Sequence, residues 1–80
     1  MANDNKKFGV CEADKIIGAN VAAHRIKNGL TEIYVASCLD MAVDNYLDAE
    51  TGDYPLTIVD IIHLARLFAV EVTDLMPSSN

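Results

Sequence analysis

The part of the sequence that most constrains the fold is a strongly apolar stretch from Ile58 to Phe68. Thr57 and Asp60, three residues apart, open this stretch as a capping box does, with Asp in place of the usual Glu. The pattern therefore predicts a helix. Because a chain of 80 residues has too little apolar volume for two cores, we expect a single domain in which this helix is the most buried element.

An amphipathic helix is predicted near the start of the chain, over residues 14 to 28, because apolar residues recur there at spacings of three and four. Asp14 is the expected N-cap, and Gly29 is the expected stop, since glycine adopts the left-handed conformation without a Cβ clash. The apolar face of this helix is expected to consist of Ile17, Val21 and Ile26, with the small Ala22 between them.

Two shorter helices are predicted between the helix over residues 14 to 28 and the apolar helix that begins at Ile58. Thr31 can cap the second helix, which ends near Leu39, and the third begins near Ala42 and ends at Gly52. The side chains expected on their buried sides are Tyr34, Val35 and Cys38 or Leu39 in the second helix, and Tyr46, Leu47 and Ala49 in the third.

A fifth helix, Asp74 to Met76, is predicted from the capping side chain of Thr73 and the stop at Pro77. Together these elements predict an all-α fold, a compact five-helix bundle with short connections. We expect residues 1–12 to be a flexible polar arm, residues 13–76 the folded domain and residues 77–80 a tail.

The charge of the chain argues against a general affinity for nucleic acid, because the formal net charge is −6 and the pI is near 4.5. Five of the six Lys and Arg residues precede residue 30, and residues 31–53 contain none. The same window holds six carboxylates: Glu32, Asp40, Asp44, Asp48, Glu50 and Asp53. No stretch approaches the roughly 20 apolar residues of a membrane span, and the polar start lacks a signal peptide, so a cytoplasmic location with no membrane association is expected.

No catalytic or metal-binding pattern is present in the sequence. The cysteines and histidines lack the paired spacing of a zinc site, and no serine, base and orienting residue or glycine-rich phosphate loop can be identified. We therefore expect neither an enzyme, nor a metal site, nor a cofactor. Cys11 and Cys38 are predicted to be reduced and buried or half-buried, His63 to be an interior or boundary residue, and His24 to lie on a helix surface.

The order and spacing of several short segments resemble the lambda repressor and Cro (XRE-type) helix-turn-helix domain family over residues 17–76. The segments that carry the resemblance are Arg25 to Thr31, Val35-Ala36, Glu50-Thr51-Gly52, Leu64-Ala65, Leu67 to Val70 and Asp74-Leu75. The resemblance implies a lambda-repressor-like DNA-binding domain. It also implies a partly buried ion pair between Arg25 and Glu50, which would stabilise the fold and take no part in chemistry.

In this family the third helix enters the major groove of DNA and the second touches phosphates. Carried over by position, Val43, Asp44 and Asp48 face bases, with Asn45 beside them, while Thr31, Glu32 and Thr51 face phosphates. The family usually has Gln, Arg, Ser or Asn at these places. A carboxylate about 6 Å from a phosphate is repelled by roughly 0.7 kcal/mol in water and about 3 kcal/mol at an effective dielectric of 20.

Two functions remain open. One is a small transcriptional regulator that binds DNA through its third helix, with Asp44 or Asp48 accepting from the cytosine amino group and Lys6, Lys7 and Lys27 contacting phosphates. The other is a protein-binding helix-turn-helix domain, an antirepressor or accessory factor, that presents its acidic third helix to a basic partner. The apolar side chains of the last two helices are predicted to form either the core or a homodimer surface: Ile58, Ile61, Ile62, Leu64, Leu67, Phe68 and Leu75.

Overall fold

The computed structural model describes residues 12–77 and contains, in that range, four α-helices and no strand. They are α1 (Glu12–Lys27), α2 (Glu32–Cys38), α3 (Val43–Thr51) and α4 (Ile58–Phe68), and a 3₁₀ turn (Val72–Asp74) follows them. The all-α prediction is confirmed, but the count of five helices is wrong. None of the helices between residues 12 and 77 is long and apolar enough to cross a membrane.

The ends of α2, α3 and α4 follow the predicted local chemistry. Thr57 and Asp60 form the capping box, with the Asp60 amide donating to Thr57 Oγ1 (3.1 Å) and the Thr57 amide donating to Asp60 Oδ2 (3.2 Å). Thr31 Oγ1 accepts from the Tyr34 amide (3.1 Å) and so caps α2. Gly52 ends α3 with a φ of 90°.

Both terminal elements differ from the prediction. Because α1 already begins at Glu12, Asp14 lies in its first turn and is not the N-cap. The predicted helix Asp74–Met76 is a 3₁₀ turn instead, closed by successive bonds from the amides of Asp74, Leu75 and Met76 to carbonyls three residues earlier. Pro77 has no amide hydrogen with which to continue the series. The predicted arm falls mostly, and the tail partly, outside the described residues.

All four helices and Leu75, after the 3₁₀ turn, contribute to the core. Its largest fully buried side chains are Tyr46, Leu64, Leu75, Val21 and Val35. As predicted, α4 is the most buried helix, because it contributes Ile61, Leu64, Ala65 and Phe68. Ile58, at its start, is exposed and lies outside the core.

Several side chains lie on a different side of their helix from the one predicted. Tyr34, Cys38, Ile26 and Leu47 were expected inside and are exposed, and so is His63. Tyr34, Leu47 and His63 each stand next in sequence to a residue that fills the core. Adjacent side chains on a helix point about 100° apart, so a shift of one residue decides which of two neighbours faces inward. His24 is half-buried and stacks on Phe68 with ring centroids 5.9 Å apart. Cys11 lies outside the described residues.

A glycine allows α1 and α3 to approach closely. Gly18 is buried, and a Cβ built on it would lie 2.3 Å from the carbonyl oxygen of Ala49 and 2.7 Å from that of Glu50. No real Cβ tolerates such distances from backbone atoms. The backbone of α1 therefore lies directly against the C-terminal end of α3.

The ion pair implied by the family resemblance is present at the same junction. Arg25 Nε donates to Glu50 Oε2 (2.6 Å) and Nη2 donates to Oε1 (3.2 Å), a bidentate fork between side chains that are 12% and 11% exposed. Arg25 Nη1 also donates to the Leu30 carbonyl (3.0 Å), and the Tyr46 hydroxyl donates to Glu50 Oε2. This set of bonds joins the end of α1 to the end of α3 and to the turn before α2.

Replacing Gly18 with Ala should lower the free energy of unfolding by about 1–3 kcal/mol, the range for overpacking a core. Urea unfolding followed by circular dichroism measures it. Gly29→Ala is the matched control, because an added Cβ there meets nothing within 4 Å and only the φ of 69° is strained, at about 1–2 kcal/mol. If Gly18→Ala has the same free energy of unfolding as the wild type, the backbones of α1 and α3 do not approach as closely as described.

Replacing Arg25 with Leu should lower the free energy of unfolding by about 3–5 kcal/mol, because it leaves the Glu50 carboxylate buried without its partner. The double variant Arg25→Leu, Glu50→Leu should lose less than the sum of the two single variants, since neither charge then remains. A double-mutant cycle in urea measures this coupling. Additive losses would contradict the pairing.

Replacing Tyr46 with Phe should cost about 1.5–3 kcal/mol at neutral pH, the usual value of a hydrogen bond to a charged group. Burial, followed by the bond to Glu50, raises the pKa of Tyr46 well above its usual range. The contribution of a raised pKa is complete below the unfolded value of about 10 and is lost as pH rises above it. The stability gap between wild type and Tyr46→Phe should therefore stay constant up to about pH 10 and narrow as the pH rises above that value, and a gap that stays constant above about pH 10 would contradict this assignment.

Candidate nucleic-acid interface

The second and third helices form a helix-turn-helix unit. A four-residue connection, 39–42, joins them, and Asp40 within it has a positive φ of 54°. The Met41 amide donates to the Ala36 carbonyl (2.9 Å), which closes the end of α2. Val35 and Ala36 are fully buried. They pack α2 against the core, and the other sides of the helix face outward.

The helix α3 has distinct inner and outer sides. Tyr46 and Ala49 point into the protein. The opposite side, which we call the outer face of α3, is exposed along the whole helix and consists of Val43, Asp44, Leu47, Asp48 and Thr51. Asp44 and Asp48 lie one turn apart and are both exposed, so this face presents two carboxylates beside the aliphatic side chains of Val43 (37% exposed) and Leu47 (40% exposed).

The structure brings four of the predicted site residues together on this face: Val43, Asp44, Asp48 and Thr51. Asn45 is half-buried and lies at the border of the face. The hydroxyl of Thr51 donates within its own helix end, to the Asp48 carbonyl (3.0 Å) and to Asp53 Oδ2 (3.1 Å).

The two predicted residues of α2 have local partners. Thr31 is its N-cap, and its exposed hydroxyl keeps a hydrogen to donate after accepting from the Tyr34 amide. Glu32 is 44% exposed and lies 3.7 Å from Arg25 Nη2. The Glu32 carboxylate therefore interacts with the same guanidinium that holds Glu50.

Leu47 is the functional candidate that the sequence reasoning missed. It was assigned to the core, although it is four residues after Val43 and three after Asp44 and so shares their side of a helix. That spacing is the signal that would have placed it on the outer face.

The potential around the outer face of α3 is negative. No Lys or Arg occurs between residues 28 and 65. Arg25, the cation that lies under α3, is committed to Glu50, and hydrogen bonding to Glu50 raises the pKa of Arg25. Lys15 approaches the C-terminal end of α3, where a Cβ on Gly52 would lie 2.7 Å from its Cα. Lys6 and Lys7 are outside the described residues.

Over residues 12–77, no group of three or more His, Cys, Asp and Glu side chains is arranged to hold a metal ion. Cys38 and Tyr34 are exposed neighbours on α2, and a hydrogen bond with Cys38 raises the pKa of the Tyr34 phenol. The groups that the outer face of α3 presents are aliphatic side chains and carboxylate oxygens.

Comparison with known proteins gives structural neighbours. No family model matches the chain, and neither does any curated protein. The restriction-modification controller protein C.AhdI from Aeromonas hydrophila superposes with a TM-score of 0.69, covering 76% of this chain and 92% of its own at 21% identity. The DNA-binding domain of BldD from S. venezulae gives a TM-score of 0.71, covering 84% of this chain and 100% of its own at 28% identity.

A third structure, the hypothetical transcription factor NHTF from Neisseria, gives a TM-score of 0.74 at 13% identity and covers 85% of this chain and 78% of its own. These similarities extend over most of the described helices, and the α2–turn–α3 unit and the Arg25–Glu50 pair agree with the family implied by the sequence. The chain therefore has the helix-turn-helix fold of these neighbours, in agreement with its resemblance to the lambda repressor and Cro type.

Proposed function

We propose that this domain is a transcriptional regulator that binds DNA by laying the outer face of α3 in the major groove. The observation that carries the proposal is that this face is exposed along the whole of α3 while the helix itself is fixed from below by Arg25 and Gly18. A helix held in this way can enter a major groove without reorganising. The similarity to a DNA-binding domain, that of BldD, supports it.

The side chains on the outer face of α3 determine which bases it would read. Asp44 and Asp48 can only accept hydrogen bonds when ionised, which matches the amino group of cytosine, the usual base partner of a carboxylate. Val43 and Leu47 offer aliphatic contact to a thymine methyl group. Asn45 can reach an adenine edge from the border of the face, and the Thr31 hydroxyl and Thr51 can approach phosphates.

Affinity is limited by charge. A carboxylate near a phosphate is unfavourable, and cations must come from Lys27 at the end of α1, Lys15 beside Gly52, and Lys6 and Lys7 in the arm. Binding should therefore fall steeply with salt and with removal of Lys6 and Lys7.

The test is selection of duplexes from a random pool at about 50 mM salt, followed by anisotropy. We expect the wild type to enrich a sequence that contains cytosine. Asp44→Asn with Asp48→Asn should lower affinity for that sequence, by about 1–3 kcal/mol for each lost carboxylate–cytosine contact. Asp60→Asn, on α4, is the control for the loss of one negative charge, and it is compared with Asp44→Asn and Asp48→Asn as single variants. If the double variant binds every duplex more tightly and without preference, the carboxylates repel DNA and do not read it.

A second function is favoured by one observation, the exposure of aliphatic side chains between carboxylates on the outer face of α3. Val43 and Leu47, beside Asp44 and Asp48, match a basic, partly apolar protein surface. In this case the domain acts as an antirepressor or accessory factor. Asp44→Arg with Asp48→Arg discriminates between the two functions: if only this variant binds DNA, the fold is competent and the natural face is directed to a basic protein.

A further inference from the structure

The turn after α1 carries a pair of residues that is open to a spontaneous covalent change. In the whole sequence, Asn28 is the only asparagine that is followed by glycine. The backbone nitrogen after an asparagine can attack the side-chain amide carbon, and a glycine nitrogen does so most readily because glycine has no side chain to shield it and rotates freely. Asn28 and Gly29 are both exposed, and a Cβ built on Gly29 would meet nothing within 4 Å. Water therefore reaches the reacting atoms, and the described residues leave room for a ring between them.

We propose that Asn28 is a modification site, at which the chain is converted to aspartate and isoaspartate without an enzyme. A base in the solvent removes the proton of the Gly29 amide, and the nitrogen attacks Cγ of Asn28. The new N–Cγ bond forms as the Cγ–Nδ2 bond breaks, and Nδ2 takes a proton from water and leaves as ammonia. The product is a succinimide ring. Water then opens the ring: cleavage of the new N–Cγ bond gives aspartate, and cleavage of the original peptide bond gives isoaspartate.

Two hydrogen bonds hold the reacting groups apart in the folded chain. Asn28 Nδ2 donates to the His24 carbonyl (2.7 Å), which directs the side-chain amide back along α1. The Gly29 amide donates to the Ile26 carbonyl (3.0 Å), so the attacking nitrogen is also engaged. Both bonds must break before the nitrogen meets Cγ. Because they lie at an exposed helix end, where local opening costs little free energy, the folded chain reacts through fraying of this end and not through global unfolding.

Two other asparagines in the described part of the chain are natural controls, because each is followed by a larger residue inside a helix. Asn20 is half-buried, and its Nδ2 donates to the Leu75 carbonyl (3.1 Å). Asn45 is followed by Tyr46, which is fully buried and whose amide donates to the Ala42 carbonyl (3.0 Å). Both asparagines should therefore stay unmodified while Asn28 reacts.

The products change the connection between α1 and α2. Aspartate lacks the donor that binds the His24 carbonyl, and it places a negative charge at the C-terminal end of α1, where the helix dipole disfavours it. Isoaspartate also lengthens the main chain by one methylene group between residues 28 and 29. The next residue, Leu30, is bonded to Arg25 through both its amide and its carbonyl. The longer turn therefore displaces the groups that place the start of α2.

Incubation of the full chain at neutral pH, followed by peptide mapping with mass spectrometry, tests the proposal. We expect the peptide that contains Asn28 to show the mass of an amide exchanged for a carboxyl group and to become a substrate for an isoaspartyl methyltransferase. The rate should be about tenfold lower in buffer than in guanidinium chloride, the factor that corresponds to an opening free energy of about 1.4 kcal/mol. Asn28→Gln is the matched control, since it keeps the amide but forms the larger ring slowly, and it should stay unmodified.

Urea unfolding gives a second readout, and neither readout depends on DNA binding. Asn28→Asp, which reproduces one product, should lower the urea midpoint by about 0.3–1 M, and the incubated wild type should shift in the same direction while incubated Asn28→Gln does not. An Asn28 that reacts in denaturant and stays unmodified in buffer overturns the proposal, because the folded chain then protects it completely. Equal rates in buffer and in denaturant also overturn it, because the bonds to His24 and Ile26 would then not control the reaction.

Discussion

The positions of α2 and α3 relative to each other depend on the Arg25 guanidinium. Its Nε and Nη2 hold Glu50 at the end of α3, and its Nη1 holds the Leu30 carbonyl in the turn before α2. Tyr46 adds a third bond to the same carboxylate from inside the core. Because a buried charge without its partner is costly, each member of this group fixes the others. The angle between α2 and α3 is therefore set from within, by residues that never reach the outer surface.

The same arrangement determines the electrostatics outside. Arg25 is the nearest cation to α3, and its donors are directed to Glu50 and Leu30, so it offers little positive potential to a ligand. The carboxylates of Asp44 and Asp48 then make the electrostatic potential at the outer face of α3 negative. A domain of this shape ordinarily gains affinity from phosphate neutralisation, which is not available here at the helix itself. In either proposed function, specificity would come from acceptor contacts of Asp44 and Asp48 and from the aliphatic side chains beside them.

Local chemistry made much of this fold predictable from the sequence. Thr57 with Asp60, Thr31 and Gly52 determine helix ends through bonds within a few residues, and all act as predicted. The Arg25–Glu50 pair was implied by the family resemblance and is present. The sides of the helices were less predictable, since Leu47 and Tyr34 are as apolar as their buried neighbours and only tertiary packing decides which of two adjacent residues faces inward. The role of the outer face stays a prediction.

Glycine at position 18 links the inner architecture to the surface of α1. Because Gly18 lets the backbone of α1 lie directly on α3, the buried side of α1 is narrow, and a wide side of the helix is left outside with Ala19, Ala23 and two isoleucines on it.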